Sequence, residues 1–259
     1  MSGTTHVVLP DIQSKQGVDL SHLEWIGQYI CDEKPEILLC LGDFADLESL
    51  SSYDKGKRCF EGRRYQDDIM AVYTAMDMLL GPLRALQRAQ KAAKHKPYTP
   101  RMIMLLGNHE DRITRAIEDN PSQLEGIMSL DDLGYKEQGW EVYPFLEVVE
   151  VDGILYSHYF TSGVMGRPVT NAKALIKKTH QSATQGHVQI TDMYLQDSRN
   201  GSMMIGLMAG ICYLHDETYL TPQGNTHRRQ IIVKRHVKDG AYDPQFISLS
   251  SLKDMYAGS

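Results

Sequence analysis

Apolar residues in this chain come either in short unbroken runs or at every third or fourth position of longer stretches. Residues 6–10, 36–41 and 102–106 are runs of the first kind, without alternation, as expected of strands buried on both faces. Residues 20–31 set Leu20, Leu23, Ile26, Gly27 and Ile30 on one helical face, and Pro35 stops that helix. Strand, helix, strand in this order is a βαβ unit, which implies a parallel sheet with right-handed crossovers. Residues 65–94 again have helical spacing, with Ile69, Val72, Tyr73, Met76, Leu79 and Leu80 on one face. Gly81-Pro82 is expected to break or kink this helix. Beyond it, Arg84, Arg88, Lys91, Lys94 and Lys96 form a basic face, either solvated or steering phosphate.

Farther on, residues 113–117 continue a helix that Asn120-Pro121 ends. Residues 141–151 and 153–156 read as two strands of a meander joined at Asp152-Gly153. Residues 163–168 are a flexible turn and 171–179 a helix. The strand-like stretches 203–211, 230–235 and 246–249 have no acidic cluster at their ends and are expected to complete a second sheet. No repeat, low-complexity tract or Pro/Gly/Ser-rich linker divides the chain, so residues 1–259 read as one α/β domain with a helical insert at about 63–97.

Composition narrows the function. The net charge is −6 and the pI near 5.9, whereas a general nucleic-acid coat would be basic, so contact with DNA or RNA has to come from a local patch. Residues 49–64, with Lys55, Lys57, Arg58, Arg63 and Arg64, form such a patch. No apolar run approaches the roughly 20 residues that span a bilayer. Residues 1–5 lack the basic and apolar regions of a secretory leader. Cys31, Cys40, Cys59 and Cys212 are scattered with no CxxC pair, the pattern of reduced thiols in a cytoplasmic protein.

The chemistry lies where strands end. The run 102–106 leads into Gly107-Asn108-His109-Glu110-Asp111-Arg112. An amide, an imidazole and a carboxylate then stand at the C-terminal edge of a strand, where ligands bind in open α/β sheets. Alone this would be a polar turn with Asn108 capping a helix. The arrangement recurs, however, in Asp11-Ile12-Gln13, in Gly42-Asp43-Phe44-Ala45-Asp46, in His158 after the strand 153–156, and in Gly186-His187-Val188-Gln189. Carboxylate, amide and imidazole donors from many segments suit divalent metals of the Mn, Fe or Zn kind. His215-Asp216-Glu217 lies past these motifs and reads as a surface turn, His180 as structural or exposed, and Met203, Met204 and Met208 as core fillers.

The order of these motifs resembles the calcineurin-like metallophosphoesterase superfamily, whose pattern runs DxH, GDxxD, GNH(D/E), H, GHxH. The resemblance covers residues 6 to about 190, and the later strands fit the second half of that family's sandwich of two mixed sheets flanked by helices. The long insert and the GNHEDR form look like the phosphoesterases often encoded by bacteriophages. The resemblance implies two divalent ions, Mn²⁺ foremost with Mg²⁺, Zn²⁺ or Fe as alternatives. Asp43 would bridge them, with Asn108, His158 and His187 completing one site and Asp11, Gln13 and Gln189 the other. It further implies that His109 acts as a general acid or electrostatic stabiliser, oriented by Asp46. Arg112, Tyr159, Lys55, Arg63 and Arg64 adjoin the motifs as candidate substrate contacts.

Two departures matter. Gln stands at 13 and 189, where the family places His, and both belong to one metal site. A neutral oxygen donor shifts that site toward Mn or Mg, or leaves its metal loosely held. Leu47 replaces the Arg that protein phosphatases carry after GDxxD, and Tyr159 follows His158 in place of Gly; both argue against that branch. The expected activity is hydrolysis of a phosphodiester in nucleic acid or a nucleotide. The alternatives are a small-molecule phosphomonoesterase and a catalytically weakened metal-binding module.

Overall fold

A computed structural model describes residues 3–197, 201–217 and 224–258; the side chain of Cys59 and the leader reading at Met1 and Ser2 lie outside this description. The chain begins β1 (Thr4–Leu9), α1 (Ser21–Glu33), β2 (Ile37–Cys40), α2 (Tyr65–Ala92), β3 (Arg101–Leu105), α3 (Asp111–Asp119) and α4 (Pro121–Leu124). It continues β4 (Glu141–Tyr143), β5 (Val149–Val151), β6 (Ile154–Ser157), β7 (Thr161–Ser162), β8 (Arg167–Pro168) and α5 (Ala172–Thr179). It ends β9 (Ala183–Gln185), β10 (Thr191–Asp197), β11 (Met203–Ala209), β12 (Gln230–Lys238), β13 (Ala241–Ser248) and α6 (Leu249–Tyr256).

Two mixed sheets result. The first has the order β13-β12-β1-β2-β3-β4 and the second β10-β11-β9-β6-β5, while β7 and β8 form a separate hairpin. In the first sheet β1, β2, β3 and β4 run parallel, and at the β1 side β12 is antiparallel to β1 and β13 antiparallel to β12. Because successive strand residues point to opposite faces, each unbroken apolar run supplies two cores. Val7, Leu9, Leu38, Cys40 and Met104 face α1, α2 and α6. Val8, Leu39, Leu41, Ile103 and Leu105 face Ile154, Tyr156, Ile205 and Leu207 of the second sheet. Helix α5 covers the outer side of that sheet through Ala172 and Leu175. The architecture is therefore helices, sheet, sheet, helix, and the parallel strands of the first sheet all end along one edge.

Several sequence expectations change. The stretch 141–151 is two strands in different sheets: β4 pairs with β3 and β5 with β6. Pro144, which has no N–H for a ladder, stands just past β4 where the chain leaves the first sheet. The Asp152-Gly153 hairpin turn is present, with both residues at positive φ (51° and 82°) as a two-residue turn demands. Of the three late stretches only β11 joins the second sheet. The other two are β12 and β13 of the first, and Leu249 already starts α6. Residues Gln230 to Lys234 are buried in succession because β12 lies between β1 and β13, and the second sheet is instead extended by β10, whose weak alternation hid it.

Helix α2 runs through Gly81-Pro82 without interruption. Interior proline costs a helix about 3 kcal/mol or more, here offset by packing. Helix α1 passes so near that a Cβ on Gly27 would lie 2.9 Å from Pro82 Cγ. By length and composition α2 is apolar enough to cross a membrane, but Ile69, Val72, Ala75, Met76, Leu79 and Leu83 bury its apolar face in the first core.

Candidate metal centre and active site

The loops leaving β1 and β2 are laced together before any side chain is considered. Ile12 and Gln13 donate their N–H groups to Asp43 O at 3.0 and 2.8 Å, Ser14 N–H reaches Phe44 O at 2.8 Å, and Asp46 N–H returns to Ser14 O at 3.0 Å. The loop after β3 comes equally close, since a Cβ on Gly107 would run into the Asp43 carboxylate. A Cβ on Gly42 would lie 2.7 Å from Gly107 N and 2.8 Å from His158 Nδ1. These two glycines let three strand ends meet without intervening side chains. Gln13 (φ 47°), Asp43 (50°), His187 (63°) and Gln189 (61°) all take the left-handed conformation. That conformation costs a non-glycine residue roughly 1–2 kcal/mol. Its recurrence at four candidate ligands marks a site where the surrounding hydrogen bonds hold the backbone against its own preference.

Four donors converge here. Asn108 Oδ1 lies 2.7 Å from His187 Nδ1 and 2.9 Å from His158 Nε2, and His158 Nε2 lies 3.4 Å from Asp43 Oδ2. His158 Nδ1 is 2.8 Å from Leu41 O; donating its proton there leaves the Nε2 lone pair facing the cluster, the orientation a metal-bound imidazole needs. Asp43, His158 and His187 offer ligand atoms all within 4.8 Å of one another. Burial, with His158 adding to it, lowers the His187 pKa to about 4, so the ring stays neutral and able to ligate.

Asp11 and the backbone of Gln13 adjoin this cluster, and Gln189 lines the same cleft. Asp11 Oδ1 accepts His187 N–H at 3.0 Å, while its buried Oδ2 has no hydrogen-bond partner among the described residues. Burial, and then the nearby Asp43 carboxylate, raise the Asp11 pKa to about 7. A buried carboxylate oxygen without a donor beside a second buried carboxylate calls for a cation. The donor set of Asp43, Asn108, His158 and His187 thus fits a divalent metal, and Asp11 adjoins it with a buried carboxylate oxygen.

His109 sits next to this cluster. Its Nδ1 lies 3.0 Å from Asp46 Oδ1 and 2.9 Å from Asp46 O, its backbone N–H donates to Asp43 Oδ1 at 2.9 Å, and its Nε2 is 3.8 Å from Asp43 Oδ2. Burial opposes protonation of the ring, but Asp43 and Asp46 outweigh it and raise the pKa to about 9. Burial likewise acts to raise the Asp46 pKa, yet His109, Lys15 and Arg112 hold it well below the carboxylate range. Arg112 Nη1 donates to Asp46 O at 2.8 Å and its Nη2 lies 3.2 Å from His109 Nε2. Tyr159 packs its ring 4.6 Å from that of His187.

The rim departs from the sequence reading. The cleft over these residues, of about 610 Å³, is lined by Lys57 and Arg63 from the basic stretch, with Lys55 and Arg64 exposed outside it. Arg63 is engaged by Glu48 at 3.2 Å and Asp54 at 2.9 Å, and Lys57 by Asp54 at 2.9 Å. The segment 215–217 is no surface turn. Glu217 is buried in the cleft wall, where it pairs with Lys15 and His215. Glu110 also escapes the sequence reading: it is fully buried and accepts the N–H groups of Asp43, Ala45 and Gly107 at 3.0, 3.0 and 2.8 Å. Its only sequence signal is that of a carboxylate following His109 directly.

No protein-family model matches this sequence, and no curated protein sequence matches it. Among solved structures it aligns with YfcE, a phosphoesterase from E. coli, at TM-score 0.38 and 10% identity over 94% of this chain and 100% of that chain. A second solved structure aligns at TM-score 0.37 and 10% identity over 96% of this chain and 100% of that one. At this level of likeness the functional reading rests on the residues of the chain itself.

Proposed function

We propose that the protein is a metal-dependent phosphoesterase. The observation that carries this reading is the convergence of Asp43, Asn108, His158 and His187 beside the buried His109–Asp46 pair. Asp43, Asn108, His158 and His187 would hold one ion, and Asp11, Gln13 and Gln189, with Asp43 shared, the other. Mn²⁺ suits this mixed oxygen and nitrogen donor set. When bound, such ions polarise a phosphoryl oxygen and activate water for in-line attack. The chain's own contribution is then a proton. His109 is held by Asp46 with Nε2 toward Asp43, so the ring is placed to protonate the departing oxygen. Arg112 adds a positive charge at that Nε2.

For the substrate we favour a phosphodiester of nucleic acid or a nucleotide, supported by the cationic Lys55, Lys57, Arg63 and Arg64 beside the Asp46 turn. One observation favours a small phosphomonoester instead. Four Lys or Arg and six Asp or Glu line the cleft, so before metals bind it repels a polyanion. The deciding experiment is a turnover panel with Mn²⁺ comparing bis-p-nitrophenyl phosphate, p-nitrophenyl phosphate, and single- and double-stranded DNA. Hydrolysis of the diester and DNA above the monoester supports the first substrate class. Failure of every ester, with metal bound, would sink the enzyme reading and leave a metal-binding module.

A further inference from the structure

Asp46 has two carboxylate oxygens and His109 uses one. The Nδ1 of His109 stands 3.0 Å from Oδ1, while Oδ2 is taken by Lys15 Nζ at 3.0 Å. The ammonium is held from its far side by both oxygens of Glu217, at 2.7 and 2.9 Å. Glu217 is fixed in turn by His215 Nε2 at 2.7 Å, and the His215 ring stacks on Tyr213 with centroids 4.6 Å apart and planes 23° from parallel. Tyr213, His215 and Glu217 lie in a segment that also donates Cys212 N–H to Asp11 O at 2.8 Å. Three separate stretches, those following β1 and β2 and the one after β11, therefore close on a single half-buried ammonium.

We propose that Lys15 is a positioning residue for His109, with Glu217 as its anchor; this rests on the phosphoesterase reading above. The terminal torsion of an aspartate is broad and nearly two-fold. With one oxygen unheld, Asp46 could turn and release the imidazole. Lys15 occupies the oxygen that His109 does not use, so Asp46 presents Oδ1 in one orientation and His109 keeps its Nδ1 proton on that side. Lys15 is not a spare cation for substrate: its three N–H groups meet three carboxylate oxygens, one from Asp46 and two from Glu217. Lys15 therefore has no N–H left over for phosphate. Lys15 should accordingly act on the chemical step and leave substrate affinity alone.

The test uses the full chain with Mn²⁺ and p-nitrophenyl esters, comparing wild type with Lys15→Met, Lys15→Arg, Glu217→Gln and His109→Ala, and with Lys15→Met in the His109→Ala background. Lys15→Met should lower kcat about 10–100-fold, the usual loss on removing an orienting partner, with KM and Mn²⁺ content unchanged. Lys15→Arg should restore part of that loss, and Glu217→Gln, which leaves the ammonium in place, should give a smaller one. In the His109→Ala background Lys15→Met should cost almost nothing further, because the ring it orients is gone. Imidazole ¹⁵N spectra of the metal-free proteins provide a reading independent of turnover. Above about pH 9, where the metal-free ring has lost its second proton, wild-type His109 should keep the remaining proton on Nδ1, and Lys15→Met should show mixed tautomers. A tenfold rise in KM at constant kcat would make Lys15 a substrate ligand, and full additivity with His109→Ala or an unchanged His109 spectrum would also overturn the proposal. If no ester is turned over but the spectra shift as stated, the positioning role stands and the phosphoesterase reading falls.

Discussion

Glu110 holds Asp43 from beneath: its Oε2 accepts the Asp43 backbone N–H at 3.0 Å, and the same oxygen takes Gly107 N–H at 2.8 Å. The other oxygen accepts Ala45 N–H at 3.0 Å and the Tyr135 hydroxyl at 3.2 Å. One buried carboxylate thus joins the loops after β2 and β3 and sets Asp43 in its left-handed conformation. Glu110→Gln replaces an acceptor-only group by one whose NH₂ faces backbone donors. Hydrogen bonds to a charged group contribute about 1.5–3 kcal/mol each, so the variant should lose at least that much stability in urea unfolding. It should also bind Mn²⁺ more weakly, although Glu110 is no ligand. Undiminished metal affinity would show that Asp43 needs no such support.

If two ions bind as proposed, they should bind unequally. Imidazoles of His158 and His187 would serve one, whereas Asp11, Gln13 and Gln189 would offer only oxygen or amide donors to the other. Calorimetric or EPR titration with Mn²⁺ should resolve a tight and a weak site. Gln13→His should strengthen the weak one, and His158→Ala should abolish the tight one. Equal affinities in the wild type would refute the assignment.

His109 should separate chemistry from metal binding. Its Nδ1 faces Asp46 and its backbone N–H, not its ring, contacts Asp43 Oδ1 at 2.9 Å. His109→Ala should therefore retain the metal content of the wild type while kcat falls by about 10²–10⁴, the contribution of a positioned acid or base. Loss of a metal ion in that variant would make His109 a ligand.

How far the sequence carried this picture depended on whether a feature was local. Residues 36–41 and 102–106 announced buried strands because their apolar runs are unbroken, and Gly42-Asp43 and Gly107-Asn108 marked the turns after them. What failed was pairing across distance. Nothing in residues 230–235 says that they lie beside β1 and not β11, because both positions demand the same apolar pattern. Lys15 and Glu217 meet across 202 positions, and each alone looks like an ordinary surface charge. Glu110 reads as one more polar residue in a polar turn; only its depth, with three backbone N–H groups aimed at it, shows its part.

Acid should destabilise the fold through two histidines that do no chemistry. Burial lowers the pKa of His22 to about 4 against the pull of Cys212 O, and burial likewise lowers that of His6 to about 4 against Asp152. An unfolded histidine takes up its proton near pH 6.5. Between that pH and about 4 the unfolded chain binds protons that the folded one refuses. Stability is therefore fully present above pH 6.5 and is lost as pH falls, by up to roughly 3 kcal/mol per histidine. Urea midpoints of the metal-free protein between pH 7 and 4 should fall accordingly, and His22→Gln should flatten the profile. A midpoint rising on acidification would show that the buried carboxylates, Asp11 among them, dominate.

The last expectation separates nucleic acid from small esters. Within the basic stretch after the Asp46 turn, Arg63 and Lys57 are committed to Glu48 and Asp54, while Lys55 and Arg64 stand exposed beside the cleft. An extended phosphate backbone would meet the exposed pair first. Replacing Lys55 and Arg64 by Ala should raise KM for an oligonucleotide and flatten its dependence on salt, by about 0.7–0.9 of log–log slope for each phosphate no longer neutralised. Turnover of p-nitrophenyl esters, too small to reach that rim, should stay as it was. Arg63→Ala should behave differently. Removing the link between Glu48 and Asp54 loosens the wall of the cleft itself, so both substrate classes should suffer. If the Lys55/Arg64 variant affects both classes equally, or neither, the oligonucleotide reading loses its support, and a small phosphate ester becomes the better substrate for a cleft whose lining is acidic until metals bind.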